Sequence, residues 1–110
     1  MPDIVIDISA DGSGNFTYSP STAAVKPGDT ITWTSGKGPF AISFMDRSPF
    51  GEMSFSSHSE AGAYKTYPRT VGKSHGHHHY SVAIAVFNPE DRTDFQISLD
   101  AGCPDIVVSS

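Results

Sequence analysis

The chain has 110 residues, 37% hydrophobic and 11% aromatic, which is enough for one domain over 1–110 with its own core and too apolar for a disordered segment. Seven Lys and Arg stand against twelve Asp and Glu, a net charge of −5 with no basic cluster; this leaves no electrostatic footprint for nucleic acid or an anionic membrane surface. Cys103 is the single cysteine, so no internal disulfide can form.

The opening MPDIVIDISADGSG lacks the basic start and long apolar stretch of a signal peptide. No run approaches the roughly 18 apolar residues of a spanning helix, so membrane insertion is not expected. The expected location is the cytoplasm if Met1 is native, and the periplasm or cell exterior if a leader was removed.

Apolar residues alternate with a period of two almost throughout. Ile4, Ile6 and Ile8 share one face of a first strand, and DGSGN (11–15) supplies a turn before Phe16 and Tyr18 alternate in a second. VKPGD (25–29) turns the chain into TITW, whose Ile31 and Trp33 point inward, and Phe40, Ile42 and Phe44 share a face of the following strand. Residues 46–78 show no clean alternation. Within them SHSE (57–60) matches a capping box from Ser57 to Glu60 and predicts a short helix ahead of AGAYK. Tyr80, Val82, Ile84 and Val86 then form the clearest core strand. NPEDRTD (88–94) is a turn by composition, Phe95, Ile97 and Leu99 alternate again, and DIVVS (105–109) closes the chain. Seven to eight short strands separated by turn signals predict an all-β protein, a Greek-key β-sandwich with one short helix.

The segment VKPGDTITWTSGKGPFAISF (25–44) resembles the cupredoxin signature, in which a PGD turn feeds a strand T-I-T-W and a glycine-bearing loop leads to a strand beginning His-x-Val-x-Phe. YSVAIAV (80–86) and CPDIVV (103–108) are similar to the second half of the same sandwich. The resemblance implies a cupredoxin-like fold over most of the chain. It also implies that a type 1 copper centre is missing, because such centres use His, Cys, His and usually Met. Phe40 stands at the first histidine position, YSVAIAV contains no cysteine, and neither His nor Met follows Cys103.

The feature the resemblance does not account for is GKSHGHHHYSVAIAV (72–86), with four of the chain's five histidines. In an extended chain His75, His77 and His79 project from one face, about 7 Å apart, while His78 shares the inward parity of Tyr80 and Val82. Imidazoles at i and i+2 can converge on one copper or zinc ion, and His58 supplies a further ligand if residues 46–78 fold back. No carboxylate lies within the run, and a polar strand end is the alternative reading.

Other motifs carry less. Asp11, Ser13 and Asn15 occupy the first positions of a calcium loop, but Thr22 stands where its bidentate acid belongs. Ser57, His58 and Glu60 are side by side in sequence, whereas a triad is assembled from separate elements, and Glu90, Asp91 and Asp94 read as a solvated turn. Phe40, Phe50, Phe55, Tyr64 and Tyr67 form either a satellite core or an exposed aromatic patch. The expected function is a non-catalytic cupredoxin-like binding or accessory module, not an enzyme, with a protein or small-molecule partner. The alternative is a copper- or zinc-binding protein using His75, His77 and His79, with His58.

Overall fold

The computed structural model of the protein describes residues 3–10, 15–19, 22–45, 47–60, 62–73, 75–87, 95–100 and 104–109. The expected turns over 11–14 and 88–94, and Cys103, lie outside the described residues. Those described form β1 (Asp3–Ala10), β2 (Phe16–Ser19), β3 (Thr22–Val25), β4 (Thr30–Ser35), β5 (Phe40–Phe44) and β6 (Ser54–Ser56). These are followed by β7 (His58–Glu60), β8 (Ala63–Lys65), β9 (Arg69–Thr70), β10 (Gly76–Phe87), β11 (Phe95–Asp100) and β12 (Asp105–Val108). No helix occurs among the described residues, and hence none long and apolar enough to cross a membrane.

The strands make two mixed sheets. The first runs β2-β1-β4-β8-β7 with β9 beside β4, and the second runs β3-β12-β10-β5-β6 with β11 beside β10. Pairing is antiparallel except for β1 with β4 and β12 with β3. Alternation explains the core, since every second side chain of a strand enters it. Ile6 and Ile8 of β1 and Ile31 and Trp33 of β4 pack with Ile42 and Phe44 of β5, Tyr80, Val82 and Ile84 of β10, and Ile106 and Val108 of β12. This is the all-β sandwich expected from the period-two pattern.

The short helix expected at 57–60 is replaced by strands β6, β7 and β8. Ser57 shows why. Its hydroxyl accepts the Phe40 N–H at 2.9 Å and its own N–H donates to the Phe40 carbonyl at 2.8 Å, so both groups needed for a helix cap are used across the sheet. His58 then pairs with Lys65 and Glu60 with Ala63 around Gly62, whose φ is 84°. The rest of 46–78 is tied down rather than loose. Gly72 N–H donates to the Pro49 carbonyl, Val71 exchanges hydrogen bonds with the 28–29 turn, and Phe50 and Phe55 pack on Trp33.

Gly38 sets the approach of the 36–39 loop to β10. A Cβ there would lie 1.7 Å from the Ala85 carbonyl oxygen, a backbone atom that cannot swing aside while Ala85 N–H is bonded to the Pro39 carbonyl. Gly38→Ala is therefore expected to cost about 1–3 kcal/mol of stability in a denaturant titration. An unchanged midpoint would show that the loop relaxes freely.

Candidate metal centre

The residues that come together lie at the junction of β10 and β12. The register pairs His79 with Asp105 and His77 with Val107, and on the far side of β12 it pairs Asp105 with Thr22. Residues two apart on a strand share a face, so His77 and His79 stand on the same outer surface as Asp105. Their rings stack 6.1 Å apart with an interplanar angle of 11°. His77 Nδ1 lies 2.7 Å from Asp105 Oδ2, and the Thr22 hydroxyl donates to Asp105 Oδ1 at 2.9 Å. One ligand atom from each of His77, His79 and Asp105 falls within 4.8 Å of the others, the group of this kind found among the described residues. His77 is open to solvent, its side chain 65% exposed, while that of Asp105 is 14% exposed.

Burial tends to raise the Asp105 carboxyl, but hydrogen bonds from His77 and Thr22, with the charges of His77 and His79, outweigh it and hold the group below its usual range. The carboxylate is thus the form the site favours, which is the form that ligates. Because carboxylate oxygens only accept, the proton between the two residues sits on His77 Nδ1.

The remaining histidines are placed elsewhere. His75 precedes β10, whose first residue, Gly76, has a φ of 104°, and its carbonyl accepts from Arg47 Nη2 at 2.8 Å. Its ring is outside the three-residue group. A φ of 104° is a backbone conformation that side chains with a Cβ rarely adopt, so glycine is needed for this bend. His78 points inward, 1% exposed, as its parity with Tyr80 predicts, and its Nδ1 donates to the Arg47 carbonyl at 3.2 Å. His78→Ala is expected to lower stability by about 2–3 kcal/mol through the cavity and the orphaned carbonyl, while leaving metal titration unchanged. Equal stability in thermal melts would contradict that. His58 lies on β7 in the other sheet, stacked on Tyr67 at 4.1 Å with its Nε2 3.0 Å from Glu60 Oε2. That hydrogen bond, followed by the charge of Lys65, lowers the Glu60 pKa.

Asp105 is the candidate ligand that reading the sequence did not single out. It lies 28 positions beyond His77 and reaches the site only through the β10–β12 pairing. The available signal was the last strand itself, whose first residue is a carboxylate.

The residues at the cupredoxin copper position do not fit a type 1 centre. Phe40 is buried, 3% exposed, and presents a hydrocarbon ring where the family has a histidine. β10 carries Val82 and Ile84 inward and has no sulfur ligand. No electron-transfer step through such a centre follows. The expected aromatic group is mostly core: Phe40 and Phe55 are buried and Phe50 and Tyr64 pack against them, while Tyr67 is 65% exposed.

No family model and no curated protein matches the sequence. Among solved structures, a purple cupredoxin from Nitrosopumilus maritimus superposes with a TM-score of 0.53 at 21% identity, covering 97% of this chain and all of that one. Pseudoazurin from Methylobacterium extorquens AM1 gives a TM-score of 0.45 at 16% identity, over 98% of this chain and 76% of that chain. The two-sheet topology and the likeness to the purple cupredoxin make this chain a cupredoxin-like β-sandwich.

Proposed function

We propose that this protein is a non-catalytic cupredoxin-like module that binds one copper or zinc ion through His77, His79 and Asp105. The observation that supports this is the convergence of two imidazoles and a carboxylate, from two hydrogen-bonded strands, within 4.8 Å. Ligands on a tetrahedral ion with bonds of about 2.0–2.1 Å sit roughly 3.3 Å apart, so closure asks only for side-chain rotation. An ion held by these residues would take the place of the proton that His77 shares with Asp105. Imidazole and carboxylate donors without thiolate suit Zn²⁺ or Cu²⁺ in a tetragonal site rather than a blue centre. Three protein ligands leave a coordination position open, on the solvent side, for water or a donor from a partner.

Titration calorimetry tests the reading. One equivalent of Zn²⁺ or Cu²⁺ is expected, raising the melting temperature by mass action, and the Cu²⁺ form should show no intense blue thiolate band. Asp105→Asn should weaken binding by about 10–100-fold. Weak binding of ill-defined stoichiometry, unmoved by Asp105→Asn, would reduce the histidine pair to a polar strand end.

A further inference from the structure

The outer face of the first sheet carries a second constellation, remote in the fold from β10 and β12. Registers place Val5 beside Thr32, and Thr34 beside Lys65, which pairs with His58. These positions alternate with the core residues Ile6, Ile31 and Trp33, so they form one outward row. Above this row opens a cleft of about 480 Å³, within the size range of small-molecule sites, closed at one side by Tyr67 and Pro68.

Tyr67 is an exposed aromatic ring held in place. His58 covers one of its faces at 4.1 Å and 18°, so its 65% exposure belongs to the other face and the edge. One further contact holds its backbone and two hold the residue before it. Thr66 N–H donates to the Trp33 carbonyl, and Trp33 N–H to the Thr66 hydroxyl. The Tyr67 carbonyl accepts from Arg69 Nη1, which belongs to a guanidinium paired with Glu52. A free tyrosine platform loses affinity to ordering; this one is already ordered.

Two of the residues that line the cleft also carry polar atoms without partners. Thr32 Oγ1 and His58 Nδ1 are buried and make no hydrogen bond, although buried polar atoms are nearly always satisfied. With Nε2 of His58 engaged by Glu60, Nδ1 is the ring nitrogen without a partner. The charged residues of the cleft are Asp3, Glu60 and Lys65. Two acids against one base disfavour a phosphate. The acids are themselves engaged, Asp3 by the Thr30 hydroxyl and Glu60 by His58, which disfavours a simple cation. An apolar ligand would leave Thr32 Oγ1 and His58 Nδ1 unsatisfied. The chemistry left is a neutral ligand with many hydroxyls and one flat hydrocarbon face. Hydroxyls donate to His58 and the carboxylates and accept from Lys65, and ring C–H groups are drawn to the electron-rich face of tyrosine.

We propose that this cleft binds a short neutral oligosaccharide, with Tyr67 as the stacking platform and His58, Thr32 and Lys65 as hydrogen-bonding partners. The proposal does not rest on the metal centre, and its test is run in the presence of a chelator so that the two fail separately. The experiment is an amide NMR titration of the whole chain with maltotriose, cellotriose and xylotriose. At least one should shift the resonances of His58, Lys65 and Tyr67 in a saturable way, leaving those of β12 in place. Tyr67→Ala should weaken that binding about tenfold or more, and Tyr67→Phe, which keeps the ring, should preserve it. Tyr67 is exposed, so both variants should fold, and their spectra verify it. No saturable shift at the cleft with any of the three sugars, or undiminished affinity in Tyr67→Ala, overturns the proposal.

Discussion

Trp33→Ala is expected to cost about 3–5 kcal/mol of stability, lowering the melting temperature of a domain this size by about 13–22 °C. Trp33 is fully buried, and its ring contacts Phe55 at 5.4 Å, Tyr80 at 5.5 Å, Phe50 at 6.0 Å and Phe44 at 6.5 Å between centroids. Removing it empties the point where both sheets and the 46–78 segment meet. Collapse is resisted because Phe44, Phe55 and Tyr80 belong to strands whose registers are fixed by their own ladders. The indole N–H adds little. It lies beside the Tyr80 hydroxyl, whose pKa burial pushes up to about 12 and this neighbour moderates, yet neither atom makes a hydrogen bond of ordinary geometry. Trp33→Phe should therefore retain most of the stability. Scanning calorimetry on the two variants decides: a loss below about 1 kcal/mol for Trp33→Ala would mean that the tryptophan is not the keystone described.

How much of this was legible depends on which interactions are local. Period-two alternation showed the inner faces of β4, β5 and β10 because it is a property of each strand alone, and it turned His78 inward by the same logic. The capping-box pattern at Ser57 was equally local, and it failed because a competing partner, the backbone of Phe40, lies 17 residues away. Residues 54–65 also carry strands of only three residues, too short for a period to register. The candidate site was half legible for the same reason. His77 and His79 share a face by parity, whereas Asp105 joins them through a register between β10 and β12 that nothing within either segment specifies. His75 would have continued the row in an extended chain; Gly76 bends it away, and a glycine inside a histidine run was the clue to that. His58, on β7 at the end of the other sheet, stacks on Tyr67 instead.

Replacing His77 and His79 together by alanine is expected to lower Zn²⁺ or Cu²⁺ affinity by at least about 100-fold, since it removes two of three ligands and leaves a single carboxylate in water. His77 is largely exposed, and both residues stand on the outer face, so the variant should melt close to the parent in the absence of metal. His75→Ala and His58→Ala serve as controls that should leave the single site intact, one lying beyond the Gly76 bend and the other on the opposite sheet. The pH dependence carries a definite sign. Imidazole ligates only when neutral, so affinity falls as pH is lowered. Asp105 stays ionised to lower pH than usual, because the hydrogen bonds from His77 and Thr22 overcome its burial. Asp105→Asn should therefore weaken binding across the pH range by removing an ionised ligand. Calorimetric titrations of the parent, the double variant and the two controls at three pH values test this directly. A tight single site that survives the loss of both His77 and His79, or affinity that rises on acidification, would place the ion somewhere other than this strand pair.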